Sequence, residues 1–261
     1  MITIGIDPVA FSIGSIKVMW YGIMVVLAVI VVLIFALMEA KRVGLSWDHI
    51  YNVALWAIIV AVIVSRLVHV IDQWDYYMKN PAQIVNFAGL SIYGAVLGAM
   101  LAILIYCMVN KLSFWQIGDI AAPGALLGQA IGRVGCIIGG CCYGLENPPF
   151  CAIEYTSANH GLYGTPIGVP LYPTQLYHLV WNLVAFGILW SLRTRLKTPG
   201  AIFLSYLVLY TLGDLAIRFF RQGTIFLFGM QQAQVIGILV LLVTVPWLAV
   251  KLWRGRKQIS N

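Results

Sequence analysis

Four arginines sit in or at the end of apolar runs: Arg66, Arg133, Arg218 and Arg221. An arginine inside a membrane span costs about 2.5 kcal/mol or more, so it is normally kept where it faces a bundle interior or a polar cavity. Arg133 stands out, with Gly132 and Gly135 around it and no acidic residue nearby in sequence. A guanidinium binds phosphate through paired donors, and a phospholipid phosphate is the anion that membrane spans meet most often. Arg133 is therefore the candidate phosphate holder, with Arg66, Arg218 and Arg221 assisting and Tyr21 and Gln175 completing the binding set. Tyr93, His178 and Asp214 are the candidate proton acceptors. Periodicity groups these residues: Arg66, His69 and Gln73 share a helical face, Gln129 and Arg133 are an i, i+4 pair, and Asp214 lies one turn before Arg218.

The elements that must carry them are transmembrane helices. Of 261 residues 61% are apolar and only 10% charged, with a mean hydropathy of +0.91. A soluble domain carries about a quarter charged residues, so a soluble enzyme or a free nucleic-acid-binding module is excluded. The apolar runs are too long for β-barrel strands. They predict an all-α polytopic membrane protein, a single integral membrane domain over residues 1–261, with spans at 18–38, 49–71, 88–109, 117–140, 174–191, 201–219 and 232–250. Lys41, Arg42, Lys111, Arg193, Arg195, Lys197, Lys251, Arg254, Arg256 and Lys257 then fall on one side, 10 of the 16 basic residues. That side is the cytoplasm by the positive-inside rule. The N-terminus and the loop 145–173, with five prolines and no Lys or Arg, face outward. The four arginines and the other polar candidates then share one depth, in a cavity opening toward the outer leaflet. Met1 to Gly14 have no basic n-region, so no cleavable signal peptide is expected.

Gly124, Gly128 and Gly132, four residues apart, read as a close-packing stripe on the fourth span. Gly135, Gly139, Gly140 and Gly144 are too dense for a regular helix and predict a break near its outer end. Cys107, Cys136, Cys141, Cys142 and Cys151 contain no Cys-x-x-Cys spacing and no standard zinc pattern. Cys141 and Cys142, being adjacent, are poorly placed to bridge each other, whereas Cys142 with Cys151 is conceivable.

Gly132-Arg133-Val134-Gly135 resembles the signature of the prolipoprotein diacylglyceryl transferases. Trp20-Tyr21-Gly22, Ser65-Arg66-Leu67, Gly89-Leu90-Ser91-Ile92-Tyr93-Gly94, Tyr172-Pro173-Thr174-Gln175-Leu176-Tyr177 and Phe219-Phe220-Arg221-Gln222 are similar to further segments of that family, in the same order, over residues 10–250. The chain departs from the family where Cys136, Gly139 and Cys141 replace Asn, Asn and Glu, Tyr93 replaces His, and His178 replaces Glu. Asp214 followed by Arg218 also reverses an Arg-then-Glu pair. The resemblance implies seven spans in the bacterial inner membrane, with the active site on the extracytoplasmic side and Arg133 binding phosphatidylglycerol. It also implies transfer of the sn-1,2-diacylglyceryl group from phosphatidylglycerol to the lipobox cysteine thiol of a prolipoprotein, with no metal, soluble cofactor or nucleic-acid partner. The alternatives are a non-catalytic lipid- or lipoprotein-binding relative and a membrane thiol oxidoreductase using Cys141, Cys142 or Cys151.

Overall fold

The computed structural model describes residues 1–14, 16–85, 89, 91–221, 223, 225–227 and 229–259. Leu90 and Gln222, each part of a motif above, and residue 88, the expected start of the third span, lie outside the described residues. Among the described residues seven helices are long and apolar enough to cross a membrane: α1 (Trp20–Val43), α2 (Trp47–Asp72), α4 (Ile92–Val109), α5 (Phe114–Gly139), α6 (Thr174–Leu192), α7 (Ala201–Arg218) and α8 (Gln232–Ile259). A short α3 (Trp74–Lys79) follows α2. The chain is a multi-pass membrane protein. The helices keep the expected order, but α1, α2 and α5 run past the apolar windows, because a helix can continue through polar residues such as Lys41 and Arg42 once it leaves hydrocarbon.

Three two-stranded pairings were not anticipated. β1 (Ile2–Ile4) runs parallel to β4 (Ile153–Tyr155), β2 (Val9–Ile13) pairs antiparallel with β3 (Ile16–Met19), and β5 (Ile225–Leu227) with β6 (Met230–Gln231). Strands of two to five residues leave little periodic signal.

The chain divides into two compact units, one made of Met1–Phe35 with Gly118–Asn261, the other of Ala36–Ile117. In the second, α2 and α4 lie backbone to backbone. A Cβ at Gly94 would stand 2.7 Å from Ser65 Cα, and one at Gly98 2.7 Å from the Val60 carbonyl. Buried Ala102 continues the stripe at the same spacing. Small residues four apart let helices approach this closely in lipid, where packing and not hydrophobic burial drives association.

In the first unit, α5 packs on α1 through the expected stripe, with one change. Gly124 and Gly128 meet Val32, and Gly135 meets Met24, but Gly132 has open space where a Cβ would be. On the opposite side Ala122 and Leu126 of α5, Ala185 and Leu189 of α6 and Ile202 of α7 form a buried core. Asp119 of α5 fixes the start of α7, accepting from the backbone N–H groups of Gly200 at 2.5 Å and Phe203 at 2.8 Å. The orphan donors of a helix N-terminus are thus satisfied by a carboxylate from a neighbouring helix. Trp181 of α6 fills the hollow over Gly213 and donates to the Leu209 carbonyl at 2.9 Å. These contacts set the α5, α6 and α7 faces that carry the polar residues.

The segments at 2–4 and 145–171 fold into a small cap within the same unit. Ile153, Tyr155 and Leu171 are fully buried there against Ile4, Ile137 and Tyr143.

Candidate active site

Within the first unit α5, α6 and α7 present polar side chains to one another. Arg133 of α5 is half-buried, and its charge acts on Cys136, Tyr210, Cys142 and Asp214. On α7, Asp214 accepts from Arg218 Nε at 2.7 Å through Oδ2. Its other oxygen, Oδ1, stands 3.6 Å from Nε2 of buried His178 on α6. That separation is too long for a hydrogen bond, and both atoms are buried without another partner. Arg133, Arg221 and Arg218 all lie within electrostatic reach of His178. A buried imidazole and a buried carboxylate oxygen facing each other across a short gap form a pair that a small rotation would join. The carboxylate is oriented by an arginine and the imidazole by the packing of α6. That is the architecture of an aligned proton acceptor.

Arg218 and Arg221 also line a cleft of about 790 Å³. Its other walls include Leu215, Phe219, Ile225 and Ile238. Cationic groups among apolar walls suit an amphiphile with an anionic head.

Where α5 ends, three sulfurs converge. The Sγ atoms of Cys136, Cys141 and Cys142 all lie within 4.8 Å of one another. The turn that brings them together is left-handed at Gly140 (φ +81°) and at Cys142 (φ +63°), a conformation that a residue with a Cβ adopts at a cost of about 1–2 kcal/mol. Thr174 Oγ1 donates to the Cys142 carbonyl at 2.8 Å, and Gln175 Nε2 donates to the Cys141 carbonyl at 2.8 Å. Thr165 Oγ1 donates to the Gly140 carbonyl at 3.0 Å, and His160 Nε2 lies 3.0 Å from that of Ile138. Hydrogen bonds from the Cys136 and Cys141 thiols, with Arg221 and Arg133 nearby, draw the Cys142 thiol below its ordinary range against the effect of burial. Cys141 is pushed up, first by its hydrogen bonds to Cys136 and Cys142 and then by burial. All five cysteines are free thiols, Cys142 and Cys151 included.

The remaining candidates divide by unit. Tyr21 begins α1 in the first unit, 37% exposed and within reach of Arg133 and the three cysteines. Gln175 is fully buried and holds the cysteine turn, donating also to the Tyr155 hydroxyl at 3.2 Å. Arg66 and Tyr93 belong to the second unit. Tyr93 is 44% exposed near the start of α4. Arg66 has taken on a structural task. Its Nε, Nη1 and Nη2 donate to the carbonyls of Ile84 (3.0 Å), Gly89 (2.9 Å) and Gln83 (2.6 Å), and its guanidinium lies 5.0 Å over the Tyr77 ring. It ties the α3–α4 connection to α2 by satisfying carbonyls that helix geometry leaves open there.

The sequence pattern that describes the prolipoprotein diacylglyceryl transferases matches residues 8–250. The chain belongs to the prolipoprotein diacylglyceryl transferase family. A relative from Dehalococcoides mccartyi (strain ATCC BAA-2266 / KCTC 15142 / 195), named phosphatidylglycerol--prolipoprotein diacylglyceryl transferase, is 40% identical over 259 residues, covering 99% of this chain and 97% of its own. Relatives of the same name from Lysinibacillus sphaericus (strain C3-41) and Listeria welshimeri are 34% and 32% identical, over 100% and 92% of this chain and 99% and 88% of theirs.

In this diacylglyceryl transferase-family chain, three polar groups escaped the reading of the sequence. Tyr210 lies beside Arg133, one turn before Asp214. Tyr206, a turn earlier, accepts from Gln129 Nε2 at 2.9 Å. Asn182, one turn after His178, is buried with neither amide atom paired. The signal was present, since extending the i, i+4 rows from Asp214 and His178 reaches Tyr210, Tyr206 and Asn182. The convergence of Cys136 with Cys141 and Cys142, missed as well, had no such signal, because a helix end lies between them.

Proposed function

We propose that this protein transfers the sn-1,2-diacylglyceryl group from phosphatidylglycerol to the lipobox cysteine thiol of a prolipoprotein, releasing glycerol 1-phosphate. The names of its relatives support the substrates. The observation that carries the reading furthest is the clustering of Arg133, Arg218 and Arg221 about His178 and Asp214, beside a cleft with apolar walls. The guanidiniums hold the phosphate and neutralise the charge that grows as it departs. His178, aligned by Asp214, takes the thiol proton, since the thiolate is the better nucleophile. Sulfur attacks the glyceryl C3 carbon, the C3–O bond breaks, and its electron pair leaves with the phosphate. Tyr93 remains a second candidate acceptor. The charge count supports an orientation with the N-terminus and the cleft on the extracytoplasmic side, and the family resemblance supports the bacterial inner membrane as its location.

The test is transfer of labelled diacylglyceryl from phosphatidylglycerol vesicles to a lipobox peptide by the purified protein, with Arg133→Ala beside it. The wild type is expected to label the peptide cysteine, and the variant to insert in the membrane without transferring. Undiminished turnover in Arg133→Ala refutes the role of this arginine. No transfer by folded wild-type protein refutes the reaction.

A further inference from the structure

The three sulfurs at the end of α5 are arranged for more than packing. Thiols that merely fill a turn need no mutual approach, yet Cys136, Cys141 and Cys142 hold their Sγ atoms within 4.8 Å of one another. Three thiolates around Zn2+ at about 2.3 Å would stand about 3.8 Å apart, a modest contraction from the spacing present. The backbone that carries them is built to stay in place. Four carbonyls in the stretch 138–142 are each matched by a side chain, and His160, Thr174 and Gln175 among those side chains are fully buried.

The electrostatics agree. A divalent cation with three thiolates carries a net charge of −1, a poor occupant for a buried site unless cations flank it. Arg133 and Arg221 both act on Cys142. Among the described residues no fourth ligand joins the group. His160 has Nε2 against the Ile138 carbonyl and Nδ1 3.1 Å from that of Ser157, and Nε2 of His178 faces Asp214. Three protein ligands with a vacant fourth position are the pattern of a working zinc site and not of a closed structural one. Cys136 is buried, while Cys141 and Cys142 are half-buried, so one side of the cluster remains accessible.

We propose that Cys136, Cys141 and Cys142 form a three-thiolate site for Zn2+, and that its fourth position takes the lipobox thiol of the substrate. The second half rests on the transferase reading above; the first does not. On binding, the substrate S–H bond gives its proton to His178 and a sulfur–zinc bond forms, since a coordinated thiol is held as thiolate. The sulfur then forms its bond to the glyceryl C3 carbon while the C3–O bond breaks, and the electron pair leaves with the phosphate. The product thioether, a neutral and weaker ligand, departs from the metal. No oxidant or reductant is consumed.

The experiment uses full-length protein in detergent, reduced with a phosphine and stripped with a chelator. Co2+ serves as the spectroscopic probe and Zn2+ as its competitor. One Co2+ per chain is expected, with sulfur-to-cobalt charge-transfer absorption that one equivalent of Zn2+ abolishes. Cys142→Ser should weaken binding at least tenfold, and Cys151→Ser should leave it unchanged. A lipobox peptide should raise the charge-transfer intensity by about a third, one thiolate added to three, while its Cys→Ala counterpart should not. Absence of the absorption, or its persistence when all three cysteines are serine, overturns the site. An unchanged spectrum with the peptide overturns the thiol-holding role. Transfer at full rate by zinc-free protein overturns that role too while leaving the transferase reading intact, and metal binding without any transfer does the reverse.

Discussion

Replacing Thr174 by valine tests whether the cysteine turn is held by its neighbours or holds itself. Thr174 is fully buried, and its hydroxyl donates to the Cys142 carbonyl at 2.8 Å. Valine keeps the shape and removes the donor, so a buried carbonyl is left unmatched at a cost of about 1–3 kcal/mol. Cys142 stands at φ +63°, which already opposes the turn by about 1–2 kcal/mol. The bond and the strain are of the same size, so losing one should release the other. Taking about 1.5–3 kcal/mol for the net change, local opening should become about 10–150-fold more frequent. The assay is amide hydrogen exchange read by mass spectrometry at Gly140 and Gly144, whose N–H groups are bonded to the Cys136 and Tyr172 carbonyls and exchange from the opened turn. Thr174→Ser retains the hydroxyl and should stay within about threefold of wild type. If valine also stays within threefold, the Thr174 bond does not hold the turn, and the preorganisation argued for the three sulfurs loses its footing.

Three further outcomes are expected. Asp119→Ala, which strips the carboxylate from the start of α7, should cost about 0.5–2 kcal/mol and lower the melting temperature by about 1–8 °C, read by thermal unfolding in detergent. Gly98→Ala should destabilise by about 1–3 kcal/mol because its Cβ meets the Val60 backbone, while Gly132→Ala, which meets nothing within 4 Å, should be silent in the same melts. Asp7 has its carboxyl pulled below the usual value of 3.8, first by the Val9 N–H it accepts and then by the Asn159 amide. A depressed acid adds stability above its unfolded value and loses it as pH falls through its folded one. Hydrogen exchange in residues 2–13 should therefore be flat from pH 7 to 5, once corrected for intrinsic rate, and quicken below about pH 4.

The seven helices were legible because a span must satisfy its own backbone and therefore declares itself as an uninterrupted apolar run. Arg133, His178, Asp214 and Arg218 stood out as candidates for the complementary reason, since a polar or charged group in such a run needs a purpose. Arg66 carried the same signal yet serves the backbone, because composition does not distinguish a guanidinium awaiting an anion from one satisfied by carbonyls. The α2–α4 contact through Gly94 and Gly98 was overlooked beside the more regular glycines of α5. The cysteine cluster and the cap depend on turns and pairings between distant segments, for which no local period exists. The left-handed residue at Cys142 carries no mark in the sequence at all.

The parallel pairing of β1 with β4 has a consequence for biosynthesis. Residues 2–4 find their partner only at residues 153–155, about 150 residues later. Ribosomes add about 5–20 residues per second, so the first strand waits for about 8–30 s while four spans, α1, α2, α4 and α5, are made. During that interval its edge is unpaired and open to proteases or to a chaperone. Closing the cap is then a late event that reports arrival of the segment after α5, and a pulse-labelled chain should become protease-resistant at its N-terminus only once residue 155 has emerged.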